Sequence, residues 1–113
     1  MVQASESELG AGNPPRPELL MSQIRFLAAE SSQVIITHHA EERMDERGIT
    51  SKVMFDVLKK GMISGPIRSG KKPSDWVVKL TLQMPTRRQV GVVTVVQQGD
   101  KLIIVTVEWE DWK

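Results

Sequence analysis

A chain of 113 residues with 40% hydrophobic and 26% charged residues is long enough for one domain with a modest core, and these proportions exclude a disordered or fibrous protein. It has no cysteine, which excludes disulfides and thiolate chemistry, and no apolar run near the roughly 20 residues of a membrane helix, so we expect a soluble cytoplasmic protein without membrane contacts. The formal net charge of +1 is unevenly distributed, because eleven basic residues but only three acidic ones lie between Arg47 and Lys101, an excess that favours a polyanion such as RNA.

Residues 1–16 contain serine, glycine and a Pro-Pro-Arg-Pro run but no apolar periodicity, which predicts a flexible tail. We expect residues 17–113 to form a single domain. Proline suits the first turn of a helix, and apolar residues then recur at helical spacing, which predicts a first helix from Pro17 to Glu30. The short apolar stretch 33–36 is predicted as a strand.

Two further helices are predicted from their end signals. The hydroxyl of Thr37 can cap the start of the second helix, and Gly48 suits the left-handed residue that closes it. Thr50 can cap the third helix, which carries an apolar stripe, has two lysines in its last turn and closes at Gly61.

Beyond Gly61 the apolar pattern changes from helical to alternating. A short edge strand is predicted at 62–67, a half-buried strand at 76–82, and two strands that are apolar on both faces at 90–96 and 101–109. Helices followed by a meander predict an α+β fold, in which the N-terminal helices pack on one face of a three- to four-stranded antiparallel sheet.

The predicted second helix is too polar for the core, since residues 37–48 read THHAEERMDERG. At about 100° per residue, His39, Arg43 and Arg47 fall within about 80° of arc and form one cationic stripe. Arginine binds the nonbridging oxygens of phosphate with a planar fork, and histidine titrates near neutral pH. The alternative is that the two arginines form only local ion pairs and that His39 is an ordinary surface histidine.

The run HHAEERMDERGI, the capped helix that ends in KKG and the late strand KLIIVTVEWED resemble a family of small bacterial domains of unknown function, over about residues 34–109. That family is similar to the RelE, MqsR and BrnT type II toxins. The resemblance implies a RelE-like fold, a metal-independent endoribonuclease without a cofactor, and a cognate antitoxin protein as partner. His39, Arg43 and Arg47 match the family motif. The chain has no tyrosine, a residue that some ribosome-dependent relatives use, which argues against a ribosome requirement.

RNA carries its own nucleophile, because its 2′-hydroxyl can attack the adjacent phosphate, so a protein need supply only acid, base and charge stabilisation. In this scheme His39 is the general acid or base, and Arg43 and Arg47 stabilise the phosphorane. Lys79 alternates out of the apolar face of its strand and is expected near Glu108, a second candidate acid or base. The alternative for Lys79 is an exposed strand lysine that discourages edge pairing.

Trp76 alternates with aliphatic residues along its strand and is expected in the core. The two loops that flank this strand carry basic residues that are expected to bind RNA phosphates: Lys71, Lys72, Arg87 and Arg88. The competing hypothesis is a non-catalytic nucleic-acid- or protein-binding module of the same fold. The ribonuclease hypothesis predicts that His39→Ala abolishes RNA cleavage without unfolding the protein. The binding hypothesis predicts that changing Arg87 and Arg88 weakens binding while RNA length stays constant.

Overall fold

The computed structural model describes residues 14–97 and 100–110 of the chain, so most of the tail predicted at 1–16 lies outside the described residues. No helix in these two ranges combines the length and the apolar character that crossing a bilayer requires. In chain order the elements are α1 (Pro17–Ala28), a 3₁₀ turn (Ser31–Gln33), β1 (Val34–Ile36), α2 (His38–Arg47), α3 (Ser51–Lys60), β2 (Met62–Ser69), β3 (Asp75–Gln83), β4 (Gln89–Gln97) and β5 (Lys101–Trp109).

The α+β class is confirmed, but the predicted sheet is wrong in strand number and in type. The described residues form five strands in the order β1-β5-β4-β3-β2, rather than three or four. The sheet is mixed, because β1 runs parallel to β5 while the other neighbours are antiparallel. The cause is the short apolar segment 34–36, which pairs with residues 102–104 rather than with a neighbour in sequence. β2 extends to Ser69, beyond the predicted 62–67, and pairs with β3 through residues 62–64 and 68–69, with an irregularity in the register between these two parts.

The apolar core lies between the helices and one face of the sheet. The strand register aligns the buried residues across this face, so that Trp76 lies opposite Val96, and Val96 lies opposite Leu102. Trp76 is only 2% exposed, which confirms its predicted place in the core. Helix residues complete the same cluster, including Leu20, Ile24, Met54, Val57 and Leu58. The opposite face of the sheet, which carries Lys79 and Glu108, is therefore the one that is left partly exposed.

Thr37 joins the start of α2 to the sheet. Its hydroxyl accepts a hydrogen bond from the backbone N–H of Ala40 at 3.1 Å, as the sequence predicts for a cap. The same hydroxyl donates to the carbonyl of Ile104 at 2.8 Å, and the Thr37 N–H donates to that carbonyl at 3.2 Å. Gly48 closes the helix with φ +68°, also as predicted. Because β1 ends at Ile36, α2 takes its place along the free edge of β5.

We expect Thr37→Ala to lower the free energy of unfolding by about 1–2 kcal/mol, since it removes a helix cap and leaves one bond to the Ile104 carbonyl. Thr37→Ser keeps the hydroxyl and should lose less than half of that amount. Urea unfolding followed by circular dichroism measures both values. Equal losses in the two variants would contradict a role for the hydroxyl.

Candidate functional site at the end of the sheet

A cavity of about 600 Å³ opens where β5 ends, between the last turn of α2 and the partly exposed face of the sheet. Its lining combines three cationic side chains, three carboxylates and one indole: Glu46, Arg47, Lys79, Arg88, Glu108, Trp109 and Glu110. The register explains why distant residues meet here. Lys79 pairs with Val93, and Glu108 pairs with Gly91 two residues earlier on the same strand, so both side chains lie on the same face in adjacent rows.

Two hydrogen bonds hold the end of α2 against the end of β5. The Nη1 of Arg47 donates to the carbonyl oxygen of Val107 at 3.3 Å. In return, the indole Nε1 of Trp109 donates to the backbone carbonyl of Arg47 at 2.9 Å. The second bond satisfies one of the carbonyls that a helix leaves unpaired at its C-terminus. Arg47, held in this way at the edge of β5, lines the cavity together with Glu108.

Lys79 lies between two carboxylates. Its Nζ is 2.8 Å from Oε1 of Glu110 and 3.6 Å from Oε2 of Glu108, with the lysine side chain 33% exposed and that of Glu110 17% exposed. The hydrogen bond to Glu110 raises the pKa of Lys79, burial opposes this effect, and the charges of both carboxylates add to the increase. Lys79 is therefore protonated at neutral pH and acts as a cation or proton donor rather than as a base.

Gly91 makes room for the Glu110 carboxylate. A β-carbon built at position 91 would lie 2.3 Å from Oε2 of Glu110, so the carboxylate lies directly over the glycine α-carbon. The backbone N–H of Glu110 also donates to the carbonyl of Gln89 at 2.7 Å. Sequence reasoning missed both residues as parts of the site. The available signal was the glycine inside an apolar strand, which often marks a close approach of another group.

Arg88 stacks on the indole of Trp109, with its Cζ 3.9 Å from the ring centroid. This distance is typical of a cation–π contact. The turn before β4 sets the direction of the side chain, because Arg87 adopts a positive φ of 75° and the Met84 N–H donates to the Arg88 carbonyl at 2.7 Å. The structure therefore separates the two adjacent arginines: Arg88 lines the cavity, while Arg87 is exposed outside its lining.

Four residues that the sequence predicts for the site do line the cavity: Arg47, Lys79, Arg88 and Glu108. Lys71 and Lys72, like Arg87, are exposed loop residues outside the lining. Arg43 forms an ion pair with Glu46, the local pairing that was the alternative for the arginines. The Nε2 of His38 lies 3.2 Å from Oε2 of Glu42 on the same helix.

His39 is exposed near the start of α2 and is absent from the lining of the cavity as the described residues form it. The cationic stripe was derived from rotation about the helix axis alone. Arg47 comes eight positions after His39 and therefore lies about 12 Å further along that axis, since each residue rises about 1.5 Å. The three residues thus share one side of the helix, but His39 and Arg47 are too far apart along it to contact one phosphate unless both side chains extend toward each other.

Within residues 14–97 and 100–110, no group of three or more histidine, aspartate or glutamate side chains is arranged to hold a metal ion. The acidic residues of the cavity are separated by the cations between them, as Glu108 and Glu110 are by Lys79. The arrangement instead offers alternating positive and negative groups. Such a site can exchange protons with a bound phosphate ester and can stabilise its charge.

A family model described as a domain of unknown function, DUF4258, matches residues 36–109. The match runs from the end of β1 to the end of β5 and includes every residue of the cavity lining except Glu110. No curated protein and no solved structure gave a significant match. Since the matched range covers well over half of its 113 residues, the chain belongs to the DUF4258 family.

Proposed function

We propose that this protein is an endoribonuclease that cleaves RNA through attack of the 2′-hydroxyl on the adjacent phosphate. The observation that carries the proposal is the meeting of Arg47, Lys79 and Glu108 in one cavity, although they come from a helix and two strands that are distant in sequence. This set contains a carboxylate, an ammonium and a guanidinium. Those are the groups that proton transfer and phosphorane stabilisation require.

In the proposed reaction, the carboxylate of Glu108 accepts the proton of the 2′-hydroxyl while the 2′-oxygen forms a bond to phosphorus. The bond from phosphorus to the 5′-oxygen breaks, and the ammonium of Lys79 donates a proton to the leaving oxygen. The products are a 2′,3′-cyclic phosphate and a 5′-hydroxyl. The proton on Glu108 then passes to Lys79 across their 3.6 Å contact, which restores the starting charges.

Arg47 supplies charge stabilisation in this scheme. One of its N–H groups is engaged by the Val107 carbonyl, which fixes the guanidinium, and a guanidinium has five N–H donors in all. The remaining donors suit the nonbridging oxygens of a phosphate in the cavity. Trp109 and Arg88 provide a rigid stacked surface at the rim, suited to an unpaired base and its phosphate.

The acid–base role that the sequence assigns to His39 stays a prediction. Its exposed position, about 12 Å along the helix axis from Arg47, favours Glu108 for this role. The relation to RelE-type toxins also stays a proposal, supported by the motif in α2 and the late strand. If this relation holds, the expected partner is a cognate antitoxin protein. Growth inhibition on expression that is relieved by co-expression of a protein encoded beside this one would support the relation.

One observation favours a second candidate, the non-catalytic nucleic-acid-binding module. The cavity lining carries three cationic and three acidic side chains, so its formal charge is zero, while the exposed loops carry Lys71, Lys72 and Arg87. A neutral cavity attracts a polyanion less than basic loops do. In this case RNA binds on the loops and the cavity performs no chemistry.

The nature of the RNA ends after incubation tests the proposal. We expect fragments with 5′-hydroxyl and 2′,3′-cyclic phosphate ends, formed also in the presence of EDTA, because the nucleophile belongs to the substrate. The same sequence made with 2′-O-methyl nucleotides should stay intact. Mass spectrometry of the fragments identifies the ends. Fragments with 5′-phosphates would contradict this mechanism, and an unchanged RNA length would support the binding module.

A further inference from the structure

Glu110 is the carboxylate that lies closest to Lys79 in the cavity. Its Oε1 lies 2.8 Å from Nζ of Lys79, a distance shorter than the 3.6 Å between Lys79 and Glu108. Its side chain is 17% exposed, the least of the three residues in this group. The carboxylate thus occupies the position at Lys79 that a phosphate oxygen would take in the proposed reaction.

The backbone around Glu110 allows its side chain to leave. Glu108 lies within β5, where strand pairing opposite Gly91 holds it, whereas Glu110 follows the last residue of that strand. In the described residues one backbone hydrogen bond, to Gln89, ties Glu110 to the sheet. Rotation of its side chain breaks the contact with Lys79 without disturbing any strand pair.

The charges of the cavity give this movement a consequence. With Glu110 in place, the three carboxylates balance Arg47, Lys79 and Arg88. When the carboxylate of Glu110 moves away, the remaining groups carry an excess of one positive charge next to Lys79. A phosphodiester, with its single negative charge, restores the balance.

We propose that the Glu110 carboxylate is a built-in substitute for a nucleic-acid phosphate, which occupies the anion site at Lys79 in the free protein and is displaced when a single-stranded nucleic acid binds. The identity of the displacing strand as RNA rests on the proposed function. Binding is then an exchange of one anion for another at the same ammonium group. The carboxylate holds Lys79 in position and protonated while it excludes weakly bound anions.

Charge removal is the first test, with a 2′-O-methyl decanucleotide as the probe, because that probe lacks the attacking hydroxyl. We expect Glu110→Gln to tighten binding roughly fivefold at low salt, the scale of one partly exposed charge contact. Glu46→Gln is the matched control: it removes the same charge from the same cavity, but Glu46 pairs with Arg43 rather than with Lys79. It should tighten binding by less than about twofold, since a charge not in contact is screened more strongly. Fluorescence anisotropy measures each dissociation constant.

Steric displacement is the second test, and it leaves the total charge unchanged. The β-carbon of Gly91→Ala would meet the flexible end of the Glu110 side chain, so the carboxylate rather than the strand must shift. Gly91→Ala should therefore also tighten binding, in the direction of Glu110→Gln. It should lower the pKa of Lys79 as well, because it weakens the hydrogen bond that raises it. The Lys79 titration, followed by NMR, checks that the variant has moved the carboxylate.

The outcomes separate this proposal from the proposed function. Glu110→Gln and Gly91→Ala should both bind the probe more tightly, and this gain should disappear when either is combined with Lys79→Gln. That result supports displacement whether or not RNA is cleaved. Weaker or unchanged binding in Glu110→Gln would overturn it, even if the wild-type protein cleaves RNA. No binding by any variant would also overturn it, because the site would then take no nucleic-acid phosphate. An equal effect of Glu46→Gln would show a general charge effect and overturn displacement at Lys79.

Discussion

Glu108→Gln is expected to lower the rate of RNA cleavage by about 100-fold or more, the scale of a lost general base. The amide is nearly the same size as the carboxylate but cannot accept the proton of the 2′-hydroxyl. The substitution also removes the weaker of the two carboxylate contacts to Lys79, at 3.6 Å, and keeps the stronger one at 2.8 Å. Lys79 should therefore stay in place in the free protein. Single-turnover cleavage of a fluorescent RNA gives the rate.

Two variants on α2 serve as controls for this result. Glu46→Gln removes a carboxylate of the same cavity that has no place in the proposed reaction, and the cleavage rate should stay within about threefold of the wild-type value. His39→Ala should also stay within about threefold, given the position of His39 outside the cavity lining. A large loss in His39→Ala together with a small loss in Glu108→Gln would return the acid–base role to the histidine and contradict the assignment of Glu108.

Leu80→Ala is expected to lower the free energy of unfolding by about 2–5 kcal/mol. Leu80 lies on the core face of β3, with Ile63 and Val92 opposite it on the two neighbouring strands, and it is 0% exposed. Removing three carbon atoms there leaves a void that the paired strands cannot close. Urea unfolding gives the value.

Leu82→Ala is the matched control for Leu80→Ala. Leu82 lies on the same face two residues later but is only partly buried, beside the end of the strand. The same three carbon atoms are removed, and the loss should be about half as large or less, since the site can be filled by solvent and by side-chain movement. Equal losses at the two positions would contradict the location of the core that the strand register gives.

Local signals in the sequence predicted most of the helices and the meander. The hydroxyl of Thr37 and the left-handed residue Gly48 bound α2 as predicted, because a cap involves atoms only a few residues apart. The parallel partner of β1 was not predictable in this way. Three apolar residues, Val34–Ile36, contain no information about which strand edge they join, and the pairing with β5 spans almost 70 residues of sequence.

The sequence predicted those residues of the site whose placement depends on local periodicity. Alternation within β3 placed Lys79 on the polar side, and the same alternation placed Glu108 on the matching side of β5. The helix stripe predicted Arg47 together with His39 and Arg43, because residue spacing shows which side chains share one side of a helix. Spacing does not show which of them lies near the sheet, since that depends on how the helix packs. Glu110 was missed because its role arises from the space above Gly91, which exists only once β4 and β5 are paired.

The sequence by itself determined the α+β class, the ends of α2 and α3 and the face of each strand on which a charged residue lies, since these depend on interactions within a few residues. Only the tertiary structure decided that α2 lies along the edge of β5 left by the short β1, and hence that Arg47 rather than His39 joins Lys79 and Glu108. The physical reason is that strand pairing across long separations is selected by the burial of the whole core.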